Sequence, residues 1–205
     1  MNSEKDTYQT IIKASDESLF KDRGSKFYGY AFPVTSEEEI KTQIENLKKQ
    51  HHTARHWCYA WQLGMEYDTY RANDDGEPSN SAGMPIYGQL QSFDVTNVLV
   101  VVVRYFGGTK LGVGGLVQAY KTAAQMALEN STIIQKTINV HFLLKFDYPE
   151  MNVVMRIIKD EKIKIVKQQM ELSCELEIAV RKKDCERIFN LFDTTYKVEI
   201  KKIKV

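Results

Sequence analysis

The chain has 205 residues, 43% of them hydrophobic and 27% charged, so it can bury a core and is not expected to be disordered. Its net charge of +1 at pH 7 favours no class of partner, and no apolar run reaches the ~18 residues of a membrane-spanning helix. The first residues lack the basic start and apolar core of a signal peptide, which predicts a cytoplasmic protein without a membrane partner.

The first part of the chain predicts strands mixed with helices. TYQTIIKA at 7–14 and KFYGYAFPV at 26–34 predict two strands that pair with each other. A helix is predicted over 36–50, because Ser36 is a suitable cap and glutamates fill the positive first turn. HWCYAWQL at 56–63 predicts a strand whose aromatic face is more typical of a core than of a base-stacking platform; that face holds Trp57, Tyr59 and Trp61.

The next segment, residues 64–85, is polar and rich in turn-forming residues. It is longer than the ~12–15 residues of an ordinary loop, so it is predicted to be functional or folded on itself. A short helix over 86–93, a strand buried on both faces over 97–106 and a helix over 114–130 follow. A linker is expected near 131–137.

The last part of the chain has the clearest pattern. The predicted elements are a strand at 138–148, a helix at 149–160, strands at 162–170 and 171–180, a helix at 182–192 and a strand at 196–205. This order, βαββαβ, is the ferredoxin-like pattern. Residues 136–205 carry a net charge of +4 and the remainder −3, which is less asymmetric than expected of a dedicated nucleic-acid binder.

The cysteines are Cys58, Cys174 and Cys185, and none is part of a CxxC pair. Neither a zinc ribbon nor a disulfide framework is therefore indicated. Cys174 falls at an inward position of a predicted strand, where a small buried hydrophobic residue is expected.

A glycine-rich loop lies between the predicted strand and helix in VVVRYFGGTKLGVGGLVQAY, residues 101–120. Backbone amides at a helix N-terminus suit an anion, and Lys110 adds a positive charge. However, the glycine spacing matches neither the dinucleotide fingerprint nor the phosphate-binding P-loop. Glycines also serve tight turns and close packing of a helix on a strand. Both interpretations of the loop therefore stay open.

Three carboxylates lie close together in the polar segment, at Asp74, Asp75 and Glu77. Oxygen ligands of this kind can hold a divalent cation, but the spacing of a calcium-binding EF-hand is absent. Turn formation is the alternative, together with ion pairs to Arg71, Arg104 or Lys110. The second interpretation is favoured, and no metal site is predicted.

Histidines and a cysteine also cluster, at His51, His52, His56 and Cys58. A zinc site is one interpretation, but His51 and His52 are better placed to end the preceding helix. Ser79 and Ser81 lie in a turn without an identifiable neighbouring base. These residues do not predict an enzyme.

Three stretches in order resemble signatures of the IMPACT/YigZ family: HWCYAW at 56–61, DDGEPSNSAGMP at 74–85 and residues 101–120. RGSKFYGYAFPV at 23–34 resembles an early strand of that family. The resemblance covers about residues 10–130, and the βαββαβ tail resembles the small C-terminal domain of bacterial members.

The chain departs from the family at one turn, where Asn80 and Ser81 replace the usual Gly-Thr. Asn tolerates a left-handed backbone better than most residues, so we expect the turn to survive. Any role of the threonine hydroxyl would pass to Ser81.

The resemblance implies a fold for each part of an α+β chain. Residues 1–134 would form an IMPACT-type N-terminal domain, a two-layer α/β domain like the fourth domain of elongation factor G and a ribosomal small-subunit protein. Residues 135–205 would form a ferredoxin-like domain similar to the fifth domain of the same factor. Eukaryotic relatives act in translational control through a partner of an initiation-factor kinase, but they carry a different accessory domain.

The leading hypothesis is a non-enzymatic binding protein linked to translation or its regulation, which contacts RNA, the ribosome or a translation-related protein. Its site would be a polar cleft in which amides and basic side chains hold phosphate while carboxylates orient the basic side chains. The candidate site residues are Asp74, Asp75, Glu77, Ser79, Arg104, Gly107, Gly108, Lys110 and Gly114.

Two alternative functions are kept. One is a nucleotide- or phosphate-dependent enzyme that uses the glycine loop and the acidic segment with magnesium. The other is a protein-interaction module that docks a partner on the polar sheet face of the tail. No cofactor is expected under the leading hypothesis.

Overall fold

The computed structural model describes residues 6–171 and 173–203. The described chain divides into two compact units. The first unit is Tyr8–Lys136, and the second consists of the residues from Thr137 onward together with Asp6 and Thr7. Both units mix helices with strands, which agrees with the predicted α+β class.

The first unit is built on a five-stranded sheet with helices on both faces. In chain order, this unit and its boundaries contain β1 (Thr7–Ile11), β2 (Ser18–Asp22), β3 (Ser25–Pro33), α1 (Glu37–Gln50), β4 (His56–Leu63), β5 (Thr69–Asn73), α2 (Gly83–Ser92), β6 (Val98–Tyr105), α3 (Gly112–Glu129) and β7 (Ile133–Thr137). The sheet order is β2-β3-β6-β4-β5, and all neighbours are antiparallel.

The two faces of this sheet belong to separate cores, because successive strand residues point to opposite sides. Residues such as Phe27, Cys58 and Val102 pack with α2 and α3 in one core. The other core lies on the α1 side and contains the aromatic face of β4, including Trp61, which is 5% exposed. The prediction of an aromatic core at this face is confirmed.

The pairing predicted for the first strands is wrong. The first strand, β1, pairs with β7 in a two-stranded sheet, and β3 instead pairs with β2. The segment near 131–137, expected to be a linker, is therefore largely a strand. The β1–β7 pairing could not be derived from local pattern, because these two strands are separated by the rest of the first unit.

The long polar segment at 64–85 is not a loop throughout. Its middle forms β5, which pairs with β4 at the edge of the sheet. Thr69, Tyr70 and Arg71 are exposed, so the strand lacks the apolar alternation by which half-buried strands are identified.

The second unit has the element order predicted for it. It contains β8 (Asn139–Asp147), α4 (Met151–Asp160), β9 (Lys164–Gln169), β10 (Ser173–Arg181), α5 (Cys185–Asp193) and β11 (Val198–Ile203). The antiparallel sheet has the order β11-β8-β10-β9. Its core includes the fully buried Leu144, Cys174 and Leu176. Leu172 and residues 204–205, which fall in predicted strands, lie outside the described residues.

Within the described ranges, no helix is both long and apolar enough to cross a membrane.

Candidate functional site

The segment from Asp74 to Gly83, here called the acidic loop, is organised by Asp74. Its Oδ1 accepts hydrogen bonds from the amides of Ala82 at 2.9 Å and Gly83 at 2.8 Å, and its Oδ2 accepts one from Asn80 at 2.9 Å. Because α2 begins at Gly83 without a side-chain cap from its own N-cap residue, this carboxylate supplies the missing acceptor. Asp74 therefore holds the loop closed on the start of α2.

Asp75 ties the acidic loop to β4. Its Oδ2 accepts the amide of Trp57 at 2.7 Å, and its carbonyl oxygen lies 2.9 Å from Nδ1 of His56. A carbonyl can only accept, so Nδ1 of His56 carries the proton. Asp75 has φ of 42° and Asn80 has φ of 59°, both in the left-handed region. The left-handed conformation of Asn80 agrees with the expectation that asparagine preserves this turn.

Glu77 points inward from the acidic loop and forms a buried ion pair. Its Oε1 lies 2.6 Å from the Arg104 NH1 nitrogen and accepts a hydrogen bond from the hydroxyl of Tyr120 at 2.8 Å. The Arg104 and Glu77 side chains are 6% and 5% exposed. This contact joins the acidic loop to β6 and α3, which are distant in sequence.

Cys58 and Tyr120 are buried polar residues that contact the acidic loop. Burial raises the pKa of the Cys58 thiol above its ordinary range, so the group stays protonated and donates to the Asp74 carbonyl at 3.0 Å. Burial likewise raises the pKa of the Tyr120 hydroxyl, which keeps it a donor to Glu77. Neither group is a nucleophile in this state.

The predicted cleft differs from the structure at Glu77 and Arg104. The acidic loop and Arg104 do meet, but Glu77 and Arg104 bind each other inside the core rather than lining an open hollow. The Arg104 guanidinium is therefore already paired with a carboxylate. Among the described residues, no hydrogen bond or ion pair joins Lys110 to this pair.

The carboxylates of Asp74 and Asp75 are occupied by backbone amides, as described above. No group of three or more His, Cys, Asp or Glu side chains that could hold a metal ion occurs in the part of the chain that the structure describes. The alternative in which the acidic residues form turns and ion pairs thus describes the observed contacts.

Arg104 also contacts two aromatic rings. Its guanidinium carbon lies 5.5 Å from the ring centroid of Phe27 and 5.6 Å from that of Phe106, within the range of cation–π attraction. Its buried Nε has no hydrogen-bond partner among the residues that the structure describes. Phe27 is fully buried, whereas Phe106 is 53% exposed. The buried Arg104 guanidinium therefore packs against the exposed ring of Phe106.

The glycine loop, residues 106–115, begins as a packing turn. A Cβ placed on Gly107 would lie 1.9 Å from the backbone carbon of Gly24, so no other residue fits without movement. The Gly107 amide donates to the hydroxyl of Ser25 at 3.1 Å. This first glycine serves the close approach of two backbone segments.

The later glycines have a different environment. A Cβ on Gly108, Gly112 or Gly114 would meet no atom of another described segment within 4 Å, and all three residues are exposed. The first turn of α3 contains no acidic residue, and its N-cap, Leu111, makes no side-chain capping bond. The N-cap residue therefore leaves the first amides of this helix without a side-chain acceptor, next to the exposed Lys110.

The histidines do not gather into one site. His51 is buried at the end of α1, where Nε2 lies 2.6 Å from the Tyr30 hydroxyl and Nδ1 lies 3.0 Å from the Tyr105 hydroxyl. His56 instead contacts Asp75, as described above. The expectation that His51 ends the preceding helix is confirmed, since it is the C-cap of α1.

The two serines of the acidic loop have different environments. Ser79 is exposed, while Ser81 is buried and donates to the Pro78 carbonyl at 2.6 Å. Two residues were not predicted as part of the site: Phe106, which contacts Arg104, and Tyr120, which donates to Glu77. An aromatic residue in an otherwise glycine-rich loop is the signal that could have identified Phe106.

Comparison with known proteins identifies a family that contains these motifs. Residues 23–128, which include the acidic loop, Arg104 and the glycine loop, match the Impact N-terminal domain over just more than half of the chain. This chain belongs to the IMPACT family.

Bacterial IMPACT family members resemble it over most of its length. It is 34% identical to IMPACT family member YigZ of Escherichia coli over 173 residues, covering 83% of this chain and 85% of the relative. It is 29% identical to IMPACT family member YvyE of Bacillus subtilis over 178 residues, covering 87% and 82%.

A solved structure has the same fold along nearly the whole IMPACT-family chain. This crystal structure of a hypothetical protein superposes with a TM-score of 0.71 at 27% identity and covers 97% of this chain and 98% of its own. A two-domain translational regulator, Yih1, matches at 30% identity over 58% of this chain and 46% of its own, but with a TM-score of 0.36 that superposition supports no structural argument.

Proposed function

We propose that this IMPACT-family chain is a non-enzymatic binding protein linked to translation, and that it binds RNA phosphate with its glycine loop. The link to translation comes from the family resemblance. The binding chemistry comes from the amino end of α3, where amides without a side-chain cap and the exposed Lys110 suit an anion.

One observation carries the proposal: the first turn of α3 is uncapped, free of acidic residues and unobstructed at Gly112 and Gly114. A helix N-terminus has unsatisfied amides and a positive partial charge, which both favour a bound anion. A capping or acidic side chain would compete for those amides, and none is supplied within this turn.

The acidic loop has a supporting role in the proposal. Glu77 holds Arg104, and Arg104 is the last residue but one of β6, the strand that leads into the glycine loop. We therefore assign Asp74, Asp75, Glu77, Ser79 and Arg104 to the scaffold of the site rather than to ligand contacts. Gly107 shapes the turn, and Gly108, Lys110 and Gly114 face the ligand.

The test is a pair of substitutions at Gly114. A Cβ there meets nothing and φ is not positive, so Gly114→Ala and Gly114→Glu should both fold, and the glutamate should stabilise the first helical turn. The same glutamate would repel phosphate and cover the amides. We expect Gly114→Glu to weaken RNA binding about tenfold or more, with Gly114→Ala near wild type.

The readout is fluorescence anisotropy of a labelled RNA over a salt series. Lys110→Ala should reduce the slope of log affinity against log salt by about 0.7, while Lys49→Ala on α1 should leave it unchanged. Equal affinity of the two Gly114 variants would contradict the proposal, as would undetectable RNA binding at low salt.

The enzyme alternative has less support, because the three carboxylates proposed to hold magnesium already accept protein hydrogen bonds. A rise in melting temperature with nucleotide and Mg²⁺ would favour it, since binding to the folded state stabilises that state. The protein-interaction alternative would be favoured if the chain bound no RNA.

The fold names implied by the resemblance belong to the same proposal. The sheet order and βαββαβ sequence of the second unit support a ferredoxin-like fold over 135–205. The first unit supports an IMPACT-type domain over 1–134 like the fourth domain of elongation factor G.

A further inference from the structure

Phe106 is a large apolar side chain in an unusual position. It follows β6 directly, and its ring is 53% exposed at the start of the glycine loop. Arg104 lies beneath, with its guanidinium carbon 5.6 Å from the ring centroid. Because the guanidinium is paired with Glu77 in the core, its position against the Phe106 ring is fixed.

A ring held in this way is prepared to stack. The cation–π contact limits the conformations of the free side chain, so less entropy is lost when a flat ligand covers the exposed part of the ring. Base–aromatic stacking needs only an accessible π-face and tolerates every base. Phe106 provides such a surface without rearrangement of the core.

The charges around Phe106 restrict the ligand further. From Tyr105 to Gly115 the chain contains one cation, Lys110, and no Asp or Glu. Lys110 is exposed, as is Val113 at 57%. A ligand matched to this segment therefore combines negative charge with a flat ring, which is the chemistry of a nucleotide.

We infer that this surface takes unpaired nucleotides of single-stranded RNA, with one base stacked on Phe106 and a neighbouring phosphate near Lys110. In a duplex the bases are stacked on each other and their faces cannot reach a side chain on the protein surface. The inference rests on the proposed function, because it names the form of RNA that the glycine loop binds.

The experiment measures the affinity of the full chain for three probes: a short labelled single-stranded oligouridylate, a labelled RNA duplex and inorganic tripolyphosphate. Phe106→Leu keeps an apolar side chain but removes the π-face. We expect it to weaken oligouridylate binding about 5- to 100-fold and to leave duplex and tripolyphosphate binding unchanged. Phe106→Trp, which restores a π-face, should bind oligouridylate at least as tightly as wild type.

Tyr196 in the second unit provides a matched control. It is 78% exposed and also carries a cation at its ring, with Lys197 Nζ 5.3 Å from the centroid. Tyr196→Leu should leave the affinity for oligouridylate unchanged. An equal loss in the two leucine variants would overturn the assignment to Phe106, because it would indicate nonspecific stacking on exposed rings.

The outcomes separate this inference from the proposed function. If oligouridylate binding is lost in Gly114→Glu but unchanged in Phe106→Leu, the glycine loop binds RNA and the stacking inference is wrong. If Phe106→Leu weakens duplex and single-strand binding equally, Phe106 only shapes the loop and the inference is again wrong. If the wild-type chain binds no RNA probe, both fail.

Discussion

Glu77 is a residue of a polar loop whose carboxylate lies in the core of the first unit. Replacing it with alanine leaves the Arg104 guanidinium buried and unpaired, since the two side chains are 6% and 5% exposed. We expect Glu77→Ala to lower the free energy of unfolding by about 3–5 kcal/mol. Urea unfolding, followed by tryptophan fluorescence, measures this loss.

The chain offers an exposed ion pair as the control for Glu77. Arg187 and Glu161 are 2.8 Å apart, but their side chains are 58% and 26% exposed. Exposed pairs contribute little, so Glu161→Ala should change the free energy of unfolding by less than about 1 kcal/mol. Similar losses in the two variants would contradict the buried role of Glu77.

His51 should make the first unit sensitive to pH. Burial lowers the pKa of His51 from its ordinary 6.5, and the nearby Glu17 opposes that effect only in part. The unfolded chain therefore binds a proton more readily than the folded one, so the stability from neutral His51 is present above pH 6.5 and is lost as pH falls toward its folded pKa.

The measurement compares His51→Gln with the wild type in urea between about pH 7 and about pH 5. At the higher pH the variant lacks the hydrogen bonds to Tyr30 and Tyr105 and should be less stable by about 1–3 kcal/mol. That deficit should narrow as pH falls. The control is His52→Gln, at the exposed next position, whose stability should follow the wild-type pH profile. If the stability loss of His51→Gln were the same at both pH values, the pH-sensing role of His51 would be excluded.

At the scale of elements, glycines in α2 and in the glycine loop should respond oppositely to alanine. Gly88 lies inside α2, where a Cβ meets nothing within 4 Å, so Gly88→Ala should raise the free energy of unfolding by about 1 kcal/mol. Gly107→Ala would put a Cβ 1.9 Å from the Gly24 backbone and should destabilise the first unit. Thermal melts followed by circular dichroism test both, and a neutral Gly107→Ala would show that the close approach is dispensable.

At the scale of the whole molecule, the first unit has the contents of an independent domain. It has a core on each face of its own sheet, and its length is typical of a single domain. We expect a fragment of residues 8–136 to unfold cooperatively, because both cores and almost all of the β1–β7 pair remain within it. A broad transition in calorimetry, or strong binding of a hydrophobic dye by the fragment, would contradict this expectation.

Much of the architecture follows from local sequence. The helix that begins after Ser36, the buried strand of valines and the βαββαβ order were all predictable, because periodicity and caps depend on neighbouring residues. The left-handed Asn80 follows from residue type for the same reason. Family membership was also accessible, since it depends on three motifs in order.

Contacts between distant segments were decided only by the tertiary structure. Local pattern could not show that β1 pairs with β7, nor that the polar strand β5 lies at the sheet edge. The residues of the acidic loop and the glycine loop were predictable as a set, but their individual roles were not. The sequence gives no reason to expect different roles for the carboxylates of Asp74 and Glu77. Of these two, Glu77 is the one that forms an ion pair with Arg104. The physical reason is that burial and ion pairing depend on which segments the fold brings together, whereas residue type limits only the contacts each side chain can make.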